Sequence, residues 1–233
     1  MTIAERLRAV EERIAKAAER AGRDPSSVTL VAVSKTVEPE RIIQAVEAGV
    51  QVLGENRVQE ARDKIKELGK IAQWHMIGHL QKNKAKYVAE LFDMLHSLDD
   101  IPLLDALCKR LEKLGREGFP TLIEVKLSPE ETKHGCAPED LVALAKEAVS
   151  RPQIYLCGLM TIAPYSENPE DARPYFRRLR ELRDRLQDEI GLSLPHLSMG
   201  MSGDFEVAIE EGATMVRVGT AIFGERVYGC KLD

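Results

Sequence analysis

Apolar residues recur along this chain with two alternating periods. Ile3, Leu7, Val10, Ile14 and Ala17 fall at helical spacing, Thr2 and Glu5 form a capping box ahead of them, and Gly22 supplies the stop. Short apolar, β-branched runs follow at 28–34, 50–53, 73–77, 92–98, 121–127, 154–161, 196–199 and 215–218. They predict eight strands. The segments between them, 39–48, 58–68, 82–90, 101–116, 138–149, 169–190 and 205–210, carry apolar residues three and four apart and predict helices. Glu38-Pro39-Glu40, Ala137-Pro138-Glu139 and Asn168-Pro169-Glu170 place proline near the first turn of three of them.

Strict strand–helix alternation without a Ser/Gly linker predicts an α/β fold, a single (β/α)8 TIM barrel spanning residues 1–233 with an additional N-terminal helix. A doubly wound open sheet is the runner-up. In a barrel the ligand site lies at the C-terminal strand ends, so Lys35, Asn56, His79, Ser97 and the small-residue turns after the last two strands should converge.

Composition narrows the partner class. The 33 Lys and Arg against 38 Asp and Glu give a net charge of −5, which provides no electrostatic case for nucleic acid or an acidic membrane. The arginine-rich segment Arg173–Arg185 also carries an apolar stripe and interleaved acids, as a solvated outer helix does. No signal-peptide core or membrane-spanning run is present, and Cys108, Cys136, Cys157 and Cys230 form no C-x-x-C pair. The expectation is a cytoplasmic protein with reduced thiols, no bound metal and a small-molecule ligand, as a monomer or weak homodimer.

The candidate chemistry sits at the predicted strand ends. Ser198-Met199-Gly200-Met201-Ser202-Gly203-Asp204 and Val218-Gly219-Thr220 are small-residue turns whose backbone can approach an anion, with Ser202 expected as the N-cap of helix 205–210. Arg217 alternates onto one strand face with Met215. There a buried guanidinium needs an acceptor, either a ligand or a neighbouring carboxylate. Lys35 ends the first strand, where partial desolvation would free its amine for a Schiff base; the alternative is an ordinary solvated lysine. His75 and His79 lie about 13 Å apart on a strand, too far to share a metal, and His79 is the likelier ligand neighbour. The Asn56 amide faces a ring hydroxyl or ties its loop.

Val33-Ser34-Lys35-Thr36, Gly54-Glu55-Asn56, Ile77-Gly78-His79-Leu80-Gln81-Lys82-Asn83-Lys84, Gly158-Leu159-Met160-Thr161-Ile162-Ala163 and Ser198-Met199-Gly200-Met201-Ser202, followed by Arg217 and Gly219, resemble the pyridoxal phosphate homeostasis (YggS/PROSC) family over nearly the whole chain. That family is similar in fold to the barrel domain of alanine racemases. The resemblance implies pyridoxal 5′-phosphate at the barrel mouth, Lys35 as its Schiff-base lysine, and Ser202, Gly219 and Thr220 on the phosphate. It also implies Arg217 near the pyridine nitrogen and Asn56 beside the ring. Val37 departs from the pattern, because many relatives carry a second lysine there.

The implied function is carriage or buffering of the cofactor in vitamin B6 homeostasis without turnover, with other pyridoxal phosphate enzymes as clients. An amino-acid racemase is the alternative; it needs a second acid–base group, and a chain ending at Asp233 leaves no room for the extra domain that supplies it in alanine racemases. An interaction protein with a vestigial site is the third reading.

Overall fold

Each strand pairs in parallel with the next in sequence and the last closes on the first, in a computed structural model that describes residues 1–130 and 133–224. The strands are β1 (Thr29–Val33), β2 (Val52–Glu55), β3 (Gln73–Met76), β4 (Met94–Leu98), β5 (Phe119–Glu124), β6 (Ile154–Met160), β7 (His196–Ser198) and β8 (Met215–Val218). The open-sheet alternative therefore fails. Alternation along each strand divides the core: Val31, Val33, Val52, Ile77, Met94, Leu122, Cys157, Met160 and Met215 fill the lumen, while Leu53, Leu95, Ile123, Leu159 and Val216 pack outward against helices.

Helices α1 (Ile3–Arg20), α2 (Pro39–Glu47), α3 (Val58–Leu68), α4 (Ala85–Leu91), α5 (Ile101–Lys113), α6 (Leu141–Val149), α7 (Arg173–Ile190), α8 (Phe205–Glu210) and α9 (Thr220–Phe223) surround the strands. α1 starts as expected: Thr2 N–H donates to Glu5 Oε2 at 2.8 Å and Glu5 N–H to Thr2 Oγ1 at 3.2 Å. It ends in a Schellman motif. Gly22, at φ +66°, donates to Glu19 O, and Arg23 N–H reaches back to Ala18 O, each at 2.9 Å.

Several boundaries move from the sequence expectation, each for a local reason. Val50 N–H closes the end of α2 on Ala45 O, and β2 runs on through the charged Glu55, whose carboxylate is buried against Lys64. β5 starts at Phe119 and stops at Glu124; Val125 N–H still bonds Met160 O of β6, while Glu124 O and Lys126 N–H on either side of it pair with Cys136. Of Pro39, Pro138 and Pro169, only Pro39 opens an α-helix. Pro169 opens a 3-10 turn ahead of α7, Pro138 precedes α6 by a turn, and Lys82–Lys84 forms a 3-10 turn before α4. The single-turn α9, four residues long, is too short to register as a periodic pattern.

The arginines of α7 are bound up by ion pairs, beyond the solvation expected of an outer helix. Arg173, Arg177 and Arg180 converge on Glu211 at 3.2, 2.9 and 3.1 Å, bracing α7 against the end of α8. Cys108, Cys136 and Cys157 are free and buried; Cys230 lies outside the described residues. Among the described residues no helix is long and apolar enough to cross a membrane.

Candidate functional site

A cavity of about 280 Å³ opens at the C-terminal strand ends, and Lys35, Asn56, Ser202, Arg217, Gly219 and Thr220 all line it. Six residues spread from position 35 to 220 thus meet because the barrel closes β8 onto β1. Val33, Ile77, Ile162 and Met201 make its apolar walls, and Tyr165 stands at its edge with 85% of its surface exposed.

Lys35 lies in the turn just past β1, not on the strand itself, and is partly buried. The next residue, Thr36, has φ +60°, a conformation that L side chains, β-branched ones above all, rarely adopt. Val37 is buried in the core between barrel and helices, so its side chain does not reach the cavity.

Asn56 follows β2. Its Oδ1 is buried and has no hydrogen-bond partner among the described residues, and such an atom is an acceptor waiting for a donor. Gly78 permits this placement: a Cβ there would lie 2.4 Å from Asn56 O.

Arg217 rises from β8 into the lumen and is almost fully buried. Nη1 donates to Ser198 Oγ at 2.6 Å and Nη2 to the Thr161 carbonyl at 2.9 Å, so the acceptors are a hydroxyl and a carbonyl. Glu124 and Asp204 act on it through space. Burial draws its pKa down to about 10, which still leaves it charged at neutral pH. Behind it runs a buried chain: Ser198 Oγ lies 2.9 Å from His96 Nδ1, and His96 Nε2 lies 3.0 Å from His75 Nδ1. Desolvation holds both imidazoles neutral, His96 well below its usual range and His75 at about 4. A guanidinium only donates, so Ser198 accepts from it and has its own hydrogen to give to His96 Nδ1. Nothing in the local sequence pattern marks Ser198, His96 and Thr161 as site residues, because they lie far apart in the chain and only the closed barrel brings them to Arg217 and to one another.

Ser202 does not cap α8. Asp204 takes that position, and its Oδ1 accepts from Met201 N–H at 2.6 Å to tighten the turn. Ser202 Oγ instead accepts from Gly219 N–H at 3.3 Å, so the two small-residue turns are joined. Gly219 in turn caps α9.

His79 and Ser97 do not join this set. β3 ends at Met76, and by His79 the chain has swung toward the loops after β4 and β5. There His79 Nδ1 lies 3.3 Å from Asp99, and its ring stacks on His134 at 3.7 Å, beside a separate cavity of about 470 Å³. Ser97 is buried and donates to Gly78 O at 2.7 Å, fixing the turn that packs on Asn56. Among the described residues no cluster of three metal-ligating side chains occurs.

The family model "Alanine racemase, N-terminal domain" matches residues 6–227. The chain is 53% identical over 229 residues to the pyridoxal phosphate homeostasis protein of Aquifex aeolicus, covering 98% of this chain and 100% of that one. It is 45% identical over 232 residues to that of Pseudomonas aeruginosa, covering 98% and 97%. Its fold is similar to that of PipY from Synechococcus elongatus PCC7942 with PLP bound, at TM-score 0.84 and 39% identity over 96% of this chain and 100% of that chain.

Proposed function

We propose, from the premise that this chain belongs to the alanine racemase N-terminal domain family and, within it, to the pyridoxal phosphate homeostasis proteins, that it binds pyridoxal 5′-phosphate reversibly through Lys35 and buffers the cofactor for client enzymes, without turnover of its own. One observation carries the reading: a single cavity unites an amine, an orphaned amide oxygen, a buried guanidinium and two joined small-residue turns. Those are the groups that a carbonyl, a ring hydroxyl, a pyridine nitrogen and a phosphate require. The residues present fit the cofactor.

Ser202, Gly219 and Thr220 would hold the phosphate, Asn56 the ring hydroxyl and Arg217 the ring nitrogen. When bound, the cofactor would supply an aldehyde, an electrophile that a neutral amine can capture reversibly with loss of one water. Lys35 Nζ would provide the electron pair for that capture, its two hydrogens leaving with the water. Arg217 keeps its own proton, so it keeps the ring nitrogen from taking one, which weakens the ring as an electron sink and favours carriage over carbanion chemistry. The buried free thiols suit the reducing cytoplasm in which we place the protein.

The test is borohydride reduction of cofactor-treated protein followed by peptide mapping. The expected adduct is on Lys35, with Lys35→Ala losing it while retaining the wild-type melting curve. An adduct on Lys126 or Lys133 in its place overturns the assignment. The racemase reading keeps one observation in its favour, the position of Tyr165 at the edge of the same cavity.

A further inference from the structure

We propose that Lys64 and Glu60 are positioning residues for Lys35, a clamp that pins the peptide groups on either side of it and so fixes where the amine is presented. The proposal rests on the reading of Lys35 as the aldehyde-capturing amine.

Lys64 lies on α3, and its side chain is buried beneath the turn after β1. Its ammonium has three hydrogens and three acceptors: the Ser34 carbonyl at 2.6 Å, Glu55 Oε1 at 2.7 Å and Glu60 Oε1 at 2.7 Å. Ser34 immediately precedes Lys35. Its hydroxyl donates to the same Glu55 oxygen at 2.7 Å. Glu60 Oε1, held by Lys64, also accepts the backbone N–H of Thr36, which immediately follows Lys35. One ammonium and one carboxylate therefore terminate the carbonyl before Lys35 and the N–H after it.

Packing alone does not account for this arrangement. Charges buried in a strand–helix seam lose hydration, and apolar side chains of similar volume would fill the space at less cost. An apolar pair, however, offers neither the donor that Lys64 adds to the Ser34 carbonyl, which also accepts from Val37 N–H at 3.0 Å, nor the fixed acceptor that Glu60 gives the exposed Thr36 N–H in place of mobile water. The turn it holds is the one containing φ +60° at a threonine, a conformation that persists only where its surroundings over-determine it. The positive-φ residue, the candidate nucleophile and both backbone groups held by the ion pair fall within three consecutive residues, Ser34 to Thr36. Because capture of a carbonyl depends on the approach of Nζ, a clamp on both neighbouring peptides lowers the orientational cost of that step.

The test uses the full-length protein with Lys64→Met and Glu60→Ala, against Glu60→Gln, which retains an acceptor oxygen for Thr36. The readouts are amide hydrogen exchange at Thr36, competitive acetylation of Lys35 by acetic anhydride without cofactor, and binding of two ligands. Pyridoxal 5′-phosphate carries the aldehyde; pyridoxamine 5′-phosphate has the same ring and phosphate without it. The expected result is a loss of about tenfold to about a hundredfold in the rate of aldehyde capture. Pyridoxamine phosphate affinity stays unchanged, Thr36 exchange accelerates, Lys35 acetylation shifts, and Glu60→Gln stays close to wild type. Equal weakening of both ligands, or no change in Lys35 acetylation, overturns the clamp. Glu60 is partly exposed, so its variants carry the test if Lys64→Met does not fold. Wild-type protein that fails to react with pyridoxal phosphate, yet shows the Thr36 and acetylation effects in the variants, faults the proposed function and leaves the clamp standing.

Discussion

Ser202 Oγ accepts a hydrogen bond from the Gly219 backbone N–H at 3.3 Å, which ties the turn after β7 to the turn after β8. An anion bound there would meet groups whose spacing is already set, so little ordering remains to be done on binding.

Ser202→Ala should therefore weaken pyridoxal 5′-phosphate by roughly 1.5–3 kcal/mol, the worth of a hydrogen bond to a charged group. Gly219→Val should be worse, since a branched side chain blocks close backbone approach. Titration with pyridoxal and with its 5′-phosphate checks both variants. Equal affinity for the two ligands in wild-type protein would show that these turns do not cradle a phosphate.

Thr36→Gly should trade function for stability. Glycine adopts φ +60° freely, so the fold should gain about 1 kcal/mol after its greater unfolded-state entropy is subtracted. The same freedom loosens the turn bearing Lys35, and aldehyde capture should slow. Thermal melts and stopped-flow absorbance read the two effects, and a destabilised variant would contradict the strain assigned to Thr36.

Glu124, whose Oε2 is buried without a hydrogen-bond partner among the described residues, carries a carboxyl raised by burial from 4.5 to about 7. Its folded state binds more protons than its unfolded state in that window, so it stabilises below about pH 4.5 and that contribution is lost as pH rises toward about 7. His75 works in the opposite sense. Lowered from 6.5 to about 4, it contributes stability at high pH that is lost as pH falls through that interval. His96 is lowered further and acts in the same sense as His75. Glu124→Gln should remove the opposing slope, so its stability relative to wild type should grow by a few kcal/mol between about pH 5 and about pH 8. Urea unfolding across that range measures it, and a pH-independent difference would exclude titration of Glu124 in the fold.

Protein loaded with cofactor should not exchange the α-proton of L-alanine or L-serine in deuterium oxide at an enzyme-like rate. Racemisation needs acid–base groups on both faces of the α-carbon, and Arg217, in the place proposed for it beside the ring nitrogen, would leave a carbanion poorly stabilised. Mass spectrometry of the recovered amino acid reads the exchange. Sustained incorporation that disappears in Tyr165→Phe would put the racemase reading first.

The barrel was legible because its causes are local. The capping box at Thr2 and Glu5, the Gly22 stop and the apolar alternation along residues 215–218 each depend on residues within a turn or a strand, and each stands where the pattern puts it. Where local signals conflicted, the boundaries moved. Glu55 reads as a loop residue until Lys64 arrives from α3 to accompany it into the interior.

The site divides in the same way. Sequence determined the strand-end positions of Lys35, Asn56, Ser202, Arg217, Gly219 and Thr220, because a (β/α)8 order places every such end on one face. Tertiary structure alone decided that His79 turns toward Asp99 and His134, that Ser202 bonds Gly219 and does not cap α8, and that Ser198 joins Arg217 to His96 and His75. These are choices of direction among side chains far apart in the chain. For Arg217, Ser198, His96 and His75 only the closed ring, by burying them together, obliges each donor to find its acceptor.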